Sequence, residues 1–414
     1  MSTSKTLLCI GFVFPEPKSS AAGTRIIQLL KLFLEQGYDI TFGTTAKPSE
    51  NAVDLSKLGI YVESIELNND SFDSFITRLN PSVVLFDRFM TEEQFGWRVS
   101  QYCPKAVKIL DTEDLHFLRQ SRQKKIENKV EFSMDFIKSD TAKREIASIY
   151  RCDLTLIISE VEFEILSNKL QIDPSLLLYI PFIFTSGNDA LVSKLSFDER
   201  KDFIFIGNFL HAPNVSAVNH LKYQIWPQLS KAIPKALLHI YGAYAKPKQL
   251  SLSNEKDRFY VHGFVENAHT VIESSRVMLA PLQFGAGLKG KIFDALLNGT
   301  PCVMSSIAAE GIFGQDQPNG FINDDNQKFI DNAIDLYTKI SSWEQFQSNG
   351  FEILKKRFNS QLFIEQLFKR VAYLYKNLEA HRLQNFTGVL LQHHSMQSTK
   401  YLSKWIQAKQ TNND

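Results

Sequence analysis

Short apolar runs separated by longer amphipathic stretches recur along the whole chain. Thr6–Phe14, Ile40–Phe42, Val83–Phe86, Val107–Leu110, Cys152–Ser159 and Leu177–Phe184 are continuously apolar or β-branched over a few residues, as buried strands are. Ile26–Leu34 and Glu160–Leu166 have helical spacing between them. Thr185–Lys201 is polar and without sustained periodicity, so it is expected to be a linker. The alternation then restarts with Asp202–Ile206, Ala236–Tyr241, Phe259–Gly263, Val277–Pro281 and Pro301–Met304. From Phe329 the pattern turns helical through Phe329–Ile340, Trp343–Phe358 and Ser360–Leu378. Strands alternating with helices predict two parallel, doubly wound α/β sheets, whose ligands lie at the carboxyl ends of strands.

Composition narrows this picture. The 414 residues suit two domains or more, and 44% hydrophobic with 22% charged residues is ordinary globular material. Lys+Arg at 46 against Asp+Glu at 45 gives no reason to expect a nucleic-acid partner. Cys9, Cys103, Cys152 and Cys302 are far apart, which fits a reducing cytoplasm and argues against a structural zinc site. No apolar stretch approaches a membrane span, and Gly11 and Pro15 interrupt the N-terminal apolar run, which reads as a strand rather than a signal peptide. The 32 phenylalanines are expected to fill cores.

The densest chemistry lies in Phe284–Gly311. Gly285 and Gly287 free the backbone after a strand, Lys289 and Lys291 follow at once, and Ile292–Leu297 fits a helix that Gly299 and Pro301 stop. A glycine loop, ammonium groups and a helix N-terminus together suit a phosphate, although such turns and exposed lysines also occur without one. Asp294 sits where a carboxylate could accept two ribose hydroxyls. There is no GxxxxGK[ST], so this is not a P-loop.

This stretch resembles the donor-site signature of glycosyltransferases with the GT-B fold, family 4 type. The matching positions are Gly285, Gly287, Lys289, Lys291, Asp294, Ala295, Gly299, Pro301, Val303 and Glu310-Gly311. The usual Glu is Asp294 here, and a second Glu common in the family is replaced by Ala286. The resemblance implies two Rossmann-like domains facing a cleft, expected at 1–190 and 200–360, with a crossover helix and tail at 361–414. It also implies transfer of a sugar from a nucleotide-diphosphate donor to a hydroxyl acceptor, a glycan or a lipid-linked sugar, with retention and without a metal or other cofactor. A nucleotide-sugar epimerase and a non-catalytic sugar-nucleotide or glycan-binding protein are the alternatives.

Further site residues follow from that layout. Gly23, before the first helix, would allow close approach to the donor diphosphate, and Arg25 could add a cation. Family 4 enzymes usually carry an Arg and a Lys after the first strand of the second half. Here that region offers Asn208, His211 and Asn214, so Lys289 or Lys291 is expected to supply the charge, with Asn208 or His211 donating hydrogen bonds. His262 could line the cleft near the base, whereas His239 is expected in the core.

Two acidic loops end strands of the first half, Asp87-Arg88 and Asp111–His116. In the second, Asp114 and His116 could orient an acceptor hydroxyl and take its proton, and with Lys289 they are the expected catalytic groups. The plainer alternative is a helix start capped by Asp111 or Asp114. Residues 116–144 are rich in cations, among them Arg119, Arg122, Lys124, Lys125 and Lys129, with Glu131 among the few acids. A solvated surface is the preferred reading there, and peripheral contact with an anionic bilayer is the other. In the tail, Trp405 and Ile406 could dock a short helix, and the adjacent His393 and His394 make a poor metal pair.

Overall fold

The computed structural model describes residues 5–128, 134–184 and 195–411. Seven strands form the first sheet: β1 (Thr6–Gly11), β2 (Asp39–Thr44), β3 (Tyr61–Ser64), β4 (Val83–Asp87), β5 (Val107–Asp111), β6 (Leu154–Ile157) and β7 (Leu177–Tyr179). Six form the second: β8 (Lys201–Ile206), β9 (Leu238–Tyr241), β10 (Phe259–Gly263), β11 (Ser275–Ala280), β12 (Cys302–Met304) and β13 (Gly320–Ile322). Their orders are β3-β2-β1-β4-β5-β6-β7 and β10-β9-β8-β11-β12-β13. Every pairing between these strands is parallel.

The central strands are buried on both faces, which is why they read as unbroken apolar runs. The two strands absent from the sequence reading are both edges. Tyr61–Ser64 has no buried residue, and Gly320–Ile322 spans only three positions, so neither leaves a periodic signal. The expected first strand is shorter than Thr6–Phe14: pairing stops at Gly11, and Phe12 and Val13 are exposed. In each sheet the order reverses beside the first strand, between β1 and β4 and between β8 and β11. The segments after β1 and β11 meet at Ala21 and Gly290, at the strand carboxyl ends where α/β sheets bind ligands.

The chain crosses back between the domains as expected. Phe184 N–H donates to Phe358 O at 3.0 Å, and Ser360 N–H donates to Phe184 O at 3.1 Å. The helix Ser360–Gln384 then lays Phe363, Leu367, Val371 and Leu374 into the core built on Leu7, Cys9, Val83 and Val107. The linker expected at 185–201 falls largely outside the described residues, at 185–194.

The tail departs from the short helix expected. Phe386–Thr411 is one helix of 26 residues on the flank of the first domain, against the helices Phe89–Tyr102 and Asp140–Arg151. It docks through Met396 and through Ser403, whose hydroxyl accepts from Arg98, while Trp405 stays exposed. Among the described residues no helix is long and apolar enough to cross a membrane.

Candidate functional site

The two domains touch where two helices begin. A Cβ placed on Gly290 would lie 2.7 Å from Ala21 Cβ, so the N-termini of the helices Ala21–Glu35 and Gly290–Leu297 converge. Ser20 Oγ caps the first of them by accepting from Gly23 N at 3.0 Å, the second has no side-chain cap, and both carry the positive end of a helix dipole. Around them Tyr244 Oη donates to Glu16 Oε1 at 2.7 Å, and Lys18 pairs with Glu266. Helix dipoles aimed at one spot make it receptive to an anion.

On the second domain the glycine loop is built inward. Gly287 has φ +62, and a Cβ there would lie 2.9 Å from Asp114 Cβ, so both conformation and contact demand glycine. Lys289 Nζ donates to Gly287 O at 2.8 Å and lies 3.8 Å from Glu310 Oε1. Burial lowers the Lys289 ammonium, against the pull of Glu310. Lys291 donates to Asn214 Oδ1 and lies 4.5 Å from the centroid of the Phe205 ring. Burial pushes it down to about 7, against Asp294. Asp294 is half-buried, and burial raises it to about 6 against His269 and Lys291. Both lysines are under 10% exposed, so neither is a solvated surface cation: they are buried charges whose partners are neutral groups or shared acids.

Glu310 is held across the cleft. Arg122 NH1 donates to its Oε1 at 2.8 Å and NH2 to its Oε2 at 2.7 Å, while NH1 also reaches Gly285 O at 2.8 Å. Burial raises the Glu310 carboxyl, but Arg122 and Lys289 outweigh it and hold it below the usual range. Arg122 thus joins the helix His116–Asn128 to the glycine loop. In the cationic stretch 116–144, Arg119, Arg122 and Arg144 are paired with Asp114, Glu310 and Glu93. Lys129 and Glu131 lie outside the described residues.

On the first domain Asp114 and His116 converge. His116 Nε2 is 3.4 Å from Asp114 Oδ1, and Arg119 Nε is 2.8 Å from Asp114 Oδ2. Burial opposes ionisation of Asp114, yet Arg119 and His116 hold it low. Burial drives His116 down to about 4 despite Asp114, so the imidazole is neutral at neutral pH. The helix is not capped by Asp111 or Asp114. Glu145 accepts from His116 N and Phe117 N, both at 3.1 Å, and Glu162 accepts from Leu115 N at 3.0 Å. These remote carboxylates satisfy the orphan amides and leave the Asp114 side chain to the cleft. Glu162 Oε1 also accepts from Gly287 N at 2.8 Å, and burial with the Asp114 charge pushes Glu162 up to about 7.

Other expected residues are placed differently. Arg25 is fully buried, bound to Asp111 Oδ1 at 3.0 Å and Pro181 O at 2.7 Å, so it is no free cation. Gly23 is explained by its own loop, because a Cβ would lie 2.4 Å from the Glu16 carbonyl carbon. Asn208 turns its Oδ1 to Leu210 N at 2.7 Å. His211 opens to the cleft, where surrounding protein and the Arg119 guanidinium disfavour its protonation. His239 is not a core residue: it is half-buried, and its Nδ1 lies 2.9 Å from Nε2 of the exposed His262.

The sequence reading missed Glu145 and Glu162. The available signal was an acid on the apolar stripe of a helix: Glu145 shares its face with Ala142, Ser148 and Ile149. Beside the glycine loop a cleft of about 520 Å³ opens between Arg122, Lys125, Gln283, Ser306, Asn323 and Phe329, among others.

Comparison with known proteins bears on the fold and on the second domain. Residues 200–339 match the family model of glycosyl transferases group 1. A Klebsiella pneumoniae protein described as an uncharacterized 44.6 kDa protein in the cps region is 22% identical over 173 residues. That match takes in 40% of this chain and 45% of the relative, so the chain spans less than half the length of that curated relative. Among solved structures, sucrose-phosphate synthase from Thermosynechococcus elongatus superposes with a TM-score of 0.64 at 15% identity, over 91% of this chain and 99% of that one. Anabaena HepE in complex with UDP and glucose gives 0.63 at 13%, over 89% and 100%. An S. aureus TarM mutant in complex with fondaparinux, alpha-GlcNAc-glycerol and UDP gives 0.57 at 13%, over 72% of this chain and 58% of TarM. The chain has the GT-B fold, and its residues 200–339 match the group 1 glycosyltransferase family model.

Proposed function

We propose that the protein moves a sugar from a nucleotide-diphosphate donor to a hydroxyl acceptor across this cleft. The observation that carries the reading is the meeting of the Gly285–Lys291 loop with the Asp114–His116 pair, at the point where two helix N-termini converge. The donor's diphosphate would sit on the amides starting Gly290–Leu297, with Lys291 and Lys289 near it and Asp294 at the ribose. Charge grows on the leaving diphosphate as the bond between the anomeric carbon and its phosphate oxygen breaks and the bond to the acceptor oxygen forms, and the helix dipole and these ammonium groups stabilise it. The acceptor hydroxyl would approach from Asp114 and His116, which orient it and receive its proton. Asp114 is the stronger candidate for the acceptor's partner, since it is held ionised while His116 is held neutral. UDP in two of the similar structures supports a nucleoside diphosphate as the leaving group. Retention at the anomeric carbon and independence from metal belong to the same reading.

The acids of the first domain do not surround a sugar as an epimerase would use them, because Glu145 and Glu162 are spent on backbone amides. Nor does any observation favour a bilayer contact through 116–144, whose arginines are paired within the protein. The test is release of nucleoside diphosphate from a panel of nucleotide sugars. Enzyme-dependent release that Asp114→Ala abolishes supports transfer. Free epimerised sugar nucleotide, or no turnover of any donor, contradicts it.

A further inference from the structure

Glu162 lies on the short helix Glu160–Glu164 after β6, fully buried. Its Oε1 accepts two backbone N–H groups from different domains, Leu115 at 3.0 Å and Gly287 at 2.8 Å. Its Oε2 is buried without a hydrogen-bond partner. A buried carboxylate with an unmet oxygen is costly, so what it secures must offset that cost. Helix capping alone does not account for it. Glu145 already takes the next two amides, of His116 and Phe117, and stays within the first domain.

The bond to Gly287 falls where the donor-side loop comes nearest to Asp114, whose Cβ would be 2.9 Å from a Cβ on Gly287. The Gly287 residue is gripped at both of its peptide groups: Glu162 holds its N–H, and Lys289 holds its C=O at 2.8 Å. Leu115, the other amide, sits between Asp114 and His116. One oxygen atom therefore ties the glycine loop to the loop that presents both candidate catalytic groups.

We infer that Glu162 is a positioning residue, a latch that sets the donor-binding loop against the Asp114–His116 loop. Its consequence for turnover rests on the transfer reading above, whereas its geometry does not. The latch acts through hydrogen-bond acceptance, so a glutamine, which keeps Oε1, preserves it and an alanine removes it.

Hydrogen exchange resolved to the Leu115 and Gly287 amides tests this in the full chain without any substrate. Glu162→Ala should speed exchange at both amides on the order of tenfold or more, since each loses its hydrogen-bond acceptor. Glu162→Gln should keep both close to the wild-type rate. If the alanine variant does not fold, Glu162→Asp, one methylene too short to hold both amides, gives the same comparison. Gly287 exchanging at the wild-type rate in the alanine or aspartate variant overturns the latch, because acceleration at Leu115 alone would make Glu162 a simple cap. Failure of Glu162→Gln to protect Gly287 overturns it too. A wild-type protein that turns over no nucleotide sugar would remove the transfer reading and leave this result standing.

Discussion

His116 Nε2 lies 3.4 Å from Asp114 Oδ1, so two side chains two residues apart at a helix start point to one place. A regular helix would have separated them. They converge because the helix is capped from outside, by Glu145 and Glu162, and Asp114 precedes its first turn. Asp114→Ala and His116→Ala should each lower turnover on the order of 10²–10⁴-fold, the usual worth of a positioned proton acceptor. UDP affinity, measured by calorimetry, should stay within about threefold of wild type, since one decade already corresponds to ~1.4 kcal/mol. Affinity lost in parallel with turnover would assign the loop to the donor. Full activity in both variants would return it to a structural role.

The pH dependence of UDP binding follows from two groups. Lys291 sits at about 7 in the free protein, and a diphosphate beside it favours the ammonium, so binding raises that value. Affinity is then fully present below pH 7 and weakens as pH rises through it. Asp294 sits at about 6 and must be ionised to accept ribose hydroxyls, so affinity also falls as pH drops below 6. Calorimetry should find a maximum between the two values, and Lys291→Met should abolish the alkaline limb. An alkaline limb unchanged in that variant contradicts the assignment.

Arg122 and Glu310 hold the glycine loop to the opposite domain with two parallel hydrogen bonds. Both side chains are about 15% exposed, so the pair is only weakly screened. Glu310→Ala should cost on the order of 1.5–3 kcal/mol, the worth of hydrogen bonds to a charged group. In denaturant titrations, Arg122→Ala combined with Glu310→Ala should lose less than the sum of the single losses. Additive losses would mean that the two side chains do not act together.

Arg25 provides the contrast. Its ion pair with Asp111 is fully buried, so Arg25→Met leaves an uncompensated carboxylate and should destabilise the fold by about 3–5 kcal/mol. Where the variant remains folded, its UDP affinity should match wild type. A specific loss of affinity with unchanged melting would restore Arg25 to the donor site.

Much of the fold was legible because its buried parallel strands are short apolar runs, and the sheets they form leave few topologies. Asp114, Lys291 and Asp294 stand out as candidates for a similar reason: they lie at strand ends or in a helix's first turns. What escaped depends on tertiary partners. Arg25 looks like a free cation until Asp111, 86 positions away, closes on it. Lys289 looks exposed until the loop folds its ammonium onto Gly287 O. Glu145 and Glu162 read as solvated acids, because the amides that they satisfy belong to other elements.

The proposed donor site holds a nucleoside diphosphate on the glycine loop and the two lysines behind it. Thermal melting with UDP, GDP, ADP and dTDP, at pH close to 6.5, tests it directly, since a ligand of the folded state raises Tm by mass action. At least one of the four should raise Tm in the wild-type protein. Lys289→Ala and Lys291→Ala should each weaken that binding by on the order of 1.5–3 kcal/mol. No shift with any nucleotide, or the same shift in both lysine variants, would contradict the account.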